Sequence, residues 1–202
     1  MEPFRRLAAV AIPFDHDNVD TDQIIPARFL KYPRADGYGR FLFHDQRFTE
    51  NGEPYPDFIF NRPAFAAAKI IVAGANFGSG SSREGAVYAL ADYGIRAVIA
   101  PSFGQIFHNN CFKNGVLPVR LPAADIRELM AMLTEAPGSS LTVDLEHNVV
   151  IQPDGRSMPF TVDPFWREAL LKGVDEIGLT MTYAAQIAAF ERDYFRDFDW
   201  VK

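Results

Sequence analysis

The 202-residue chain holds a single cysteine, Cys111, and only four histidines. One thiol excludes an internal disulfide framework. It also excludes an iron–sulfur cluster or structural zinc held by several thiolates of this chain alone, so no bound metal or cofactor is expected here. Such cysteine usage fits a reducing compartment, and a cytoplasmic location is expected. His16, His44, His108 and His147 are scattered without metal-ligand spacing and are read as surface or structural residues. No apolar run approaches the ~20 residues that span a bilayer, so no membrane role is expected. The N-terminal Met1-Glu-Pro-Phe-Arg-Arg6 lacks a secretory apolar core. Positive charge is also scarce. Lys and Arg number 20 against 26 Asp and Glu, a net charge of -6, and no basic run occurs, which argues against nucleic acid as a partner. The acidity is more simply a solubility feature.

What is present is apolar and aromatic. The chain is 48% hydrophobic and carries 18 Phe. That length buries a core without covalent staples and predicts one domain over 1–202. The clusters Phe41-Leu-Phe43, Phe58-Ile-Phe60 and Tyr194-Phe-Arg-Asp-Phe198 are expected to pack in the core, with a partner-facing patch as the alternative.

Along the chain, residues 7–12 read as a buried strand ended by Pro13. Residues 27–57 carry Gly, Pro and charge with little periodicity and read as a long loop, functional or mobile, ordered on docking to a partner. Apolar β-rich runs at 69–73 and 97–101 flank a helix at 83–93, a strand–helix–strand unit that implies parallel pairing. A helix follows at 103–113. Val116–Leu121 reads as a strand pushed to an edge by Pro118. Ile126, Leu129, Met130 and Leu133 keep helical spacing, and 141–145 alternates as a strand. Asp154-Gly155 is placed as a hairpin turn between 149–151 and 158–162. Helices are expected at 164–171 and about 181–196. The fold class is α/β: one compact domain, a mostly parallel central sheet and a β-rich periphery.

The most informative stretch is Gly74-Ala-Asn-Phe-Gly-Ser-Gly-Ser-Ser-Arg-Glu-Gly85. A glycine turn at a helix mouth aims unpaired N–H groups and the positive end of the helix dipole at one spot, which suits an anion. Known phosphate motifs do not fit. Gly80 and Gly85 have P-loop spacing, but Ala86 follows instead of Lys, and Arg83 occupies the third glycine position of a dinucleotide fingerprint. Ser81-Ser-Arg-Glu84 matches a capping box with Ser81 as N-cap and Glu84 reaching back. Capping leaves Arg83 unexplained, because a cation in the first turn opposes the dipole. Its placement points to a carboxylate or phosphate ligand.

Gly78-Ser-Gly-Ser-Ser-Arg-Glu84, with Asn18-Val-Asp-Thr-Asp-Gln-Ile-Ile-Pro26, Asp92-Tyr-Gly94, Val98-Ile-Ala-Pro-Ser-Phe103, Leu117-Pro-Val119 and Ile177-Gly-Leu-Thr180, resembles the swivelling domain of the aconitase superfamily. Within it the chain is similar to the small-subunit family of 3-isopropylmalate dehydratases, from about residue 7 to residue 190. The resemblance implies a swivelling β/β/α-type domain and a hydro-lyase completed by an iron–sulfur large subunit, as a heterodimer or heterotetramer. That partner carries a [4Fe–4S] cluster acting as Lewis acid on a small hydroxy-diacid substrate. It implies Ser81 as general base toward the carbon-bound proton and Asp22 as an acid at the rim of the active site. Ser82 and Arg83 hold a substrate carboxylate, with Thr21 and Gly80 beside them. Arg34 and Lys31 compete as a further substrate contact, and residues 28–40 form the loop that reads the substrate's variable group, where Phe29, Leu30 and Tyr32 offer apolar contacts. The family signature usually continues with His where this chain has Gly85. Related substrates of the methylmalate (citraconate), dimethylmalate or homoaconitate type therefore stay open beside isopropylmalate. A non-catalytic carboxylate sensor is the reading of another class.

Overall fold

The computed structural model describes residues 1–198 and 200; residues 199, 201 and 202 lie outside the described residues. The chain runs β1 (Arg6–Phe14), α1 (Thr21–Ile24), α2 (His44–Arg47), β2 (Ile70–Ala73), α3 (Glu84–Tyr93) and β3 (Ala97–Ala100). It continues through α4 (Gln105–Lys113), β4 (Leu117–Arg120), α5 (Ala123–Glu135), β5 (Ser140–Asp144), β6 (Val149–Ile151) and β7 (Ser157–Pro159). Three helices close it: α6 (Pro164–Lys172), α7 (Glu176–Met181) and α8 (Ala184–Asp197).

The strands form one sheet in the order β4-β3-β2-β1-β5-β6-β7. β1 to β4 pair in parallel, as the strand–helix–strand pattern requires. On its other side β1 pairs antiparallel with β5, and β6 and β7 extend that half as a meander. β1 changes partner along its length: residues 6–10 pair with β5, whereas Ala11–Phe14 pair with β2. The strand therefore continues through Pro13, which the sequence reading made its end. Pairing with β5 stops at Val10, so one side of Pro13 has no strand to bond, and its missing N–H is tolerated there. Pro118 lies in the edge strand β4, as expected.

Alternation along the parallel strands divides the core between two faces. Ile71, Ala73, Val98 and Ala100 pack with Val87 and Leu90 of α3 on one face. Ile70, Val72, Ile99 and Val119 pack with Leu129 and Leu133 of α5 on the other. Each fully buried Leu contributes roughly 1.5–3 kcal/mol.

Residues 27–57 are not a loose excursion. Short 3-10 turns at Ala27–Phe29, Arg34–Asp36 and Tyr38–Phe41 carry them over α3, and Tyr38, Phe41, Leu42 and Phe43 are buried. Phe43 stacks obliquely on Phe14 and Phe60, so the first two aromatic clusters do pack in the core. Turns this short leave no period in the sequence, which is why they read as loop. The third cluster differs. No residue of α8 is buried, and Phe190 is 66% and Phe198 43% exposed. α7 was not anticipated; Asp175 caps it by accepting from the Gly178 N–H. Among the described residues no helix is long and apolar enough to cross a membrane.

Candidate active site

The Gly-Ser stretch lies at the carboxyl end of β2 and opens onto α3. Its shape comes from strain-tolerant residues. Asn76, Gly78 and Gly80 have φ of 58°, 72° and 86°, the left-handed region in which glycine meets no steric objection. The loop is then tied to residues 19–21. Gly78 and Ser79 N–H both donate to the Val19 carbonyl, at 2.7 and 3.1 Å, and Thr21 N–H donates to the Ser79 carbonyl at 2.9 Å. Thr21 is buried, and its hydroxyl donates to the Ser81 carbonyl at 3.1 Å. α1 is itself fixed by a capping box: Gln23 N–H donates to Asp20 Oδ1, and Asp20 N–H donates to Gln23 Oε1.

The capping box expected at Ser81–Glu84 does not form. α3 starts at Glu84 with Arg83 as its N-cap and no side-chain cap. The left-handed turn at Gly80 lifts Ser81 and Ser82 out of the helix path, and Glu84 instead accepts from Asn114 Nδ2 at 3.0 Å. The consequence is a row of open donors. Among the described residues, no acceptor takes the backbone N–H groups from Gly80 to Gly85. Ser81 and Ser82 are exposed, and their hydroxyls likewise have no partner among the described residues. Arg83 forms an ion pair with Asp22 across the mouth. Free donors, the positive end of a ten-residue helix and a guanidinium thus meet at one exposed mouth, chemistry suited to an anion.

Of the residues singled out from sequence, Thr21, Asp22, Gly80, Ser81, Ser82 and Arg83 come together at this mouth. Arg34 and Lys31 do not join them. Arg34 lies along the flank of α3, its guanidinium 3.7 Å from the centre of the Tyr88 ring, with Asp92 at 3.7 Å and Asn114 Oδ1 at 3.3 Å. Burial and the neighbouring Glu84 carboxylate push the Tyr88 phenol above its usual pKa, with Arg34 opposing. Lys31 is exposed, its ammonium 5.6 Å from the Tyr32 ring centre. Sequence reasoning missed the bracing roles of Asp20, Gln23 and Asn114. The spacing of Asp20 and Gln23, a cap three residues before an amide, was the signal for the first two.

His16 packs edge-on against Phe14, and His108 lies between Phe103 and Phe112. Among the described residues no three His, Cys, Asp or Glu gather as metal ligands. Cys111 is fully buried, and burial pushes its thiol well above the usual value.

The aconitase C-terminal domain family matches residues 1–124, and the LeuD_N family matches 127–164. A 3-isopropylmalate dehydratase small subunit of Paramagnetospirillum magneticum is 50% identical over 201 residues, covering 100% of both chains. One from Gluconobacter oxydans is 51% identical over 191 residues, 95% of this chain and 92% of that one. The crystal structure of a 3-isopropylmalate dehydratase from Methanocaldococcus jannaschii superposes with a TM-score of 0.64 at 27% identity, over 91% of this chain and 99% of that chain. With its sheet, its open helix mouth and these relatives, the chain belongs to the aconitase C-terminal domain family, among the 3-isopropylmalate dehydratase small subunits.

Proposed function

We propose that this chain is the small subunit of a hydro-lyase that interconverts 2-isopropylmalate and 3-isopropylmalate by dehydration and rehydration, in leucine biosynthesis in the cytoplasm. One observation carries the reading: the unpartnered N–H groups of Gly80–Gly85, beside Arg83 and the free Ser81 hydroxyl, make an anion cradle with a proton-transfer group at its lip.

A substrate carboxylate enters this cradle and takes hydrogen bonds from the backbone and from Ser82, with Arg83 supplying charge and a planar fork. Asp22 holds the guanidinium in place. Ser81 acts as general base toward the carbon-bound proton. An alcohol is a weak base, and the surrounding donors and the helix end stabilise its alkoxide. The proton that Ser81 removes is the one it returns when water adds in the other position. Thr21 fixes the Ser81 carbonyl, and Gly80 supplies the turn. Phe29 and Tyr32 offer an apolar wall to the isopropyl branch, with Leu30 between them turned toward Gly85 of α3. Lys31 is retained as a second substrate contact, whereas Arg34, already engaged with Tyr88, Asp92 and Asn114, braces the segment.

The residues of this chain do not fit an iron–sulfur cluster: its one thiol is sealed in the core. The large subunit would hold the cluster, which would supply Lewis-acid chemistry toward the substrate hydroxyl. The unburied aromatic face of α8 suits that same partner.

The test is reconstitution with an iron–sulfur large subunit and assay on 2-isopropylmalate, citraconate, dimethylmaleate and homocitrate. Ser81→Ala is expected to lower kcat by about 10²–10⁴-fold while the subunits still co-elute. Near-normal turnover of Ser81→Ala overturns the base assignment, and tight diacid binding by the free chain overturns the half-site reading in favour of a sensor.

A further inference from the structure

Gly85 is the second residue of α3, and it is buried. Its φ is not in the left-handed region, so its backbone makes no demand for glycine. A helix turn filled by glycine is weaker than the same turn filled by alanine. The reason for glycine is therefore room. A Cβ at this position would stand 2.6 Å from Leu30 Cδ2, and beyond Leu30 only ring carbons of Tyr38 come within 4 Å, the nearer at 3.5 Å. The methyl end of Leu30 occupies the space that any side chain at 85 would take.

Leu30 is held from behind as well. Its N–H donates to the Ala27 carbonyl at 3.1 Å. The Tyr38 hydroxyl donates to the Tyr32 carbonyl at 2.8 Å and lies 3.4 Å from the Leu30 carbonyl, so it gathers the two ends of the Leu30–Tyr32 turn. Tyr38 in turn is fixed to the far end of α3, where its N–H donates to Asp92 Oδ2 at 3.0 Å. There the backbone of Gly39 lies so close to Asp92 and Tyr93 that a Cβ would be 2.6 Å from the Tyr93 nitrogen. The segment is thus clamped at both ends of one helix: backbone against backbone at the last turn, and Leu30 into Gly85 at the first. The far clamp is rigid. The near clamp is one side chain seated in one vacant position, two residues from Arg83 and at the end of the open N–H row.

We infer that Leu30 and Gly85 form a steric pair that sets how close the 28–40 segment rides to the carboxylate mouth, which makes Leu30 a positioning residue. The inference rests on the reading of that mouth as the substrate site. A Cβ at 85 meets the free end of a rotatable side chain, so Leu30 yields by turning out of its seat, and the Leu30–Tyr32 turn loses its near hold on α3 while Ser81 and Arg83 stay untouched. The effect falls on substrate affinity rather than on proton transfer.

The test is a double-mutant cycle of Gly85→Ala and Leu30→Ala in the reconstituted complex, with trypsin nicking after Lys31 and Arg34 measured on the same variants as full chains. Gly85→Ala is expected to raise KM about tenfold, the low end of what one misplaced methylene-sized contact does in an apolar pocket, with kcat nearly unchanged. It is also expected to speed nicking at Lys31. Adding Leu30→Ala clears the collision, so KM and nicking in the double variant fall below those of Gly85→Ala alone. A double variant equal to or worse than Gly85→Ala overturns the pairing, as does a Gly85→Ala chain with unchanged nicking. The nicking arm reads the pair even if no hydroxy-diacid is turned over, so failure of the pair and failure of the functional reading are distinguishable.

Discussion

Replacing Thr21 by valine exchanges one buried oxygen for a methyl of nearly the same size. The hydroxyl makes one bond, to the Ser81 carbonyl at 3.1 Å, while the Thr21 backbone keeps its separate bond to Ser79. One hydrogen bond of this kind contributes about 0.5–1.5 kcal/mol net. The orphaned carbonyl belongs to an exposed residue and finds water, so no buried acceptor is stranded. For a chain of this length a loss of about 1 kcal/mol lowers Tm by roughly 2–4 °C. The effect on turnover is expected to be larger than the effect on stability. Ser81 follows a left-handed glycine, and the Thr21 hydroxyl is the side chain that restrains its peptide. A misplacement of about 1 Å at a reacting group costs on the order of 10²-fold in rate. Thr21→Val is therefore expected to melt within a few degrees of wild type and to lose about 10- to 100-fold in kcat in the reconstituted enzyme. Thr21→Ser, which keeps the oxygen, is expected to recover most of that loss. Thermal melts and initial rates on matched preparations decide the matter. Full turnover in Thr21→Val, or equal loss in Thr21→Ser, refutes the bracing role.

Two further predictions concern parts remote from the mouth. His108 is held below the usual imidazole pKa, first by burial and then by Arg120. Its neutral form is favoured in the fold, so its stability contribution is fully present above the ordinary value near 6.5 and declines as pH falls through that value toward the lowered one. His108→Gln is expected to flatten the fall in Tm on acidification between about pH 7 and 5; an unchanged profile rejects it. Replacing Phe190 and Tyr194 together with serine is expected to leave the melting of the free chain within about 0.5 kcal/mol of wild type, because Phe190 is exposed and Tyr194 only partly buried. The same change is expected to weaken capture of the large subunit in calorimetry, and undiminished affinity removes α8 from the interface.

The parallel half of the sheet was legible because β2 and β3 are short, wholly apolar and separated by one helix, and the edge place of β4 followed from Pro118. The Asp154-Gly155 turn announced the β6–β7 hairpin. Pro13 misled because a proline's meaning depends on whether a neighbour faces it, and the change of partner along β1 is a tertiary fact. Ser81 misled for a similar reason: its spacing to Glu84 is that of a cap, but two left-handed glycines before it carry the chain off the helix axis. The grouping of serines, arginine and free N–H groups at the mouth does not depend on one of them capping the helix. Leu30 left no local trace. Its contact with Gly85 spans more than fifty positions of sequence, and only the odd glycine in an otherwise regular helix hinted that something else fills the gap.

The split allegiance of β1 bears on how the polypeptide is made. Its first half waits for residues 140–144 and its second for residues 70–73. During synthesis β1 emerges before both of its partners, and its β5 flank is completed only once residues 140–144 have followed. Closing such distant loops slows folding. Until then the growing polypeptide carries an apolar, half-mated strand, the kind of transiently unpaired edge that makes a folding intermediate prone to aggregate.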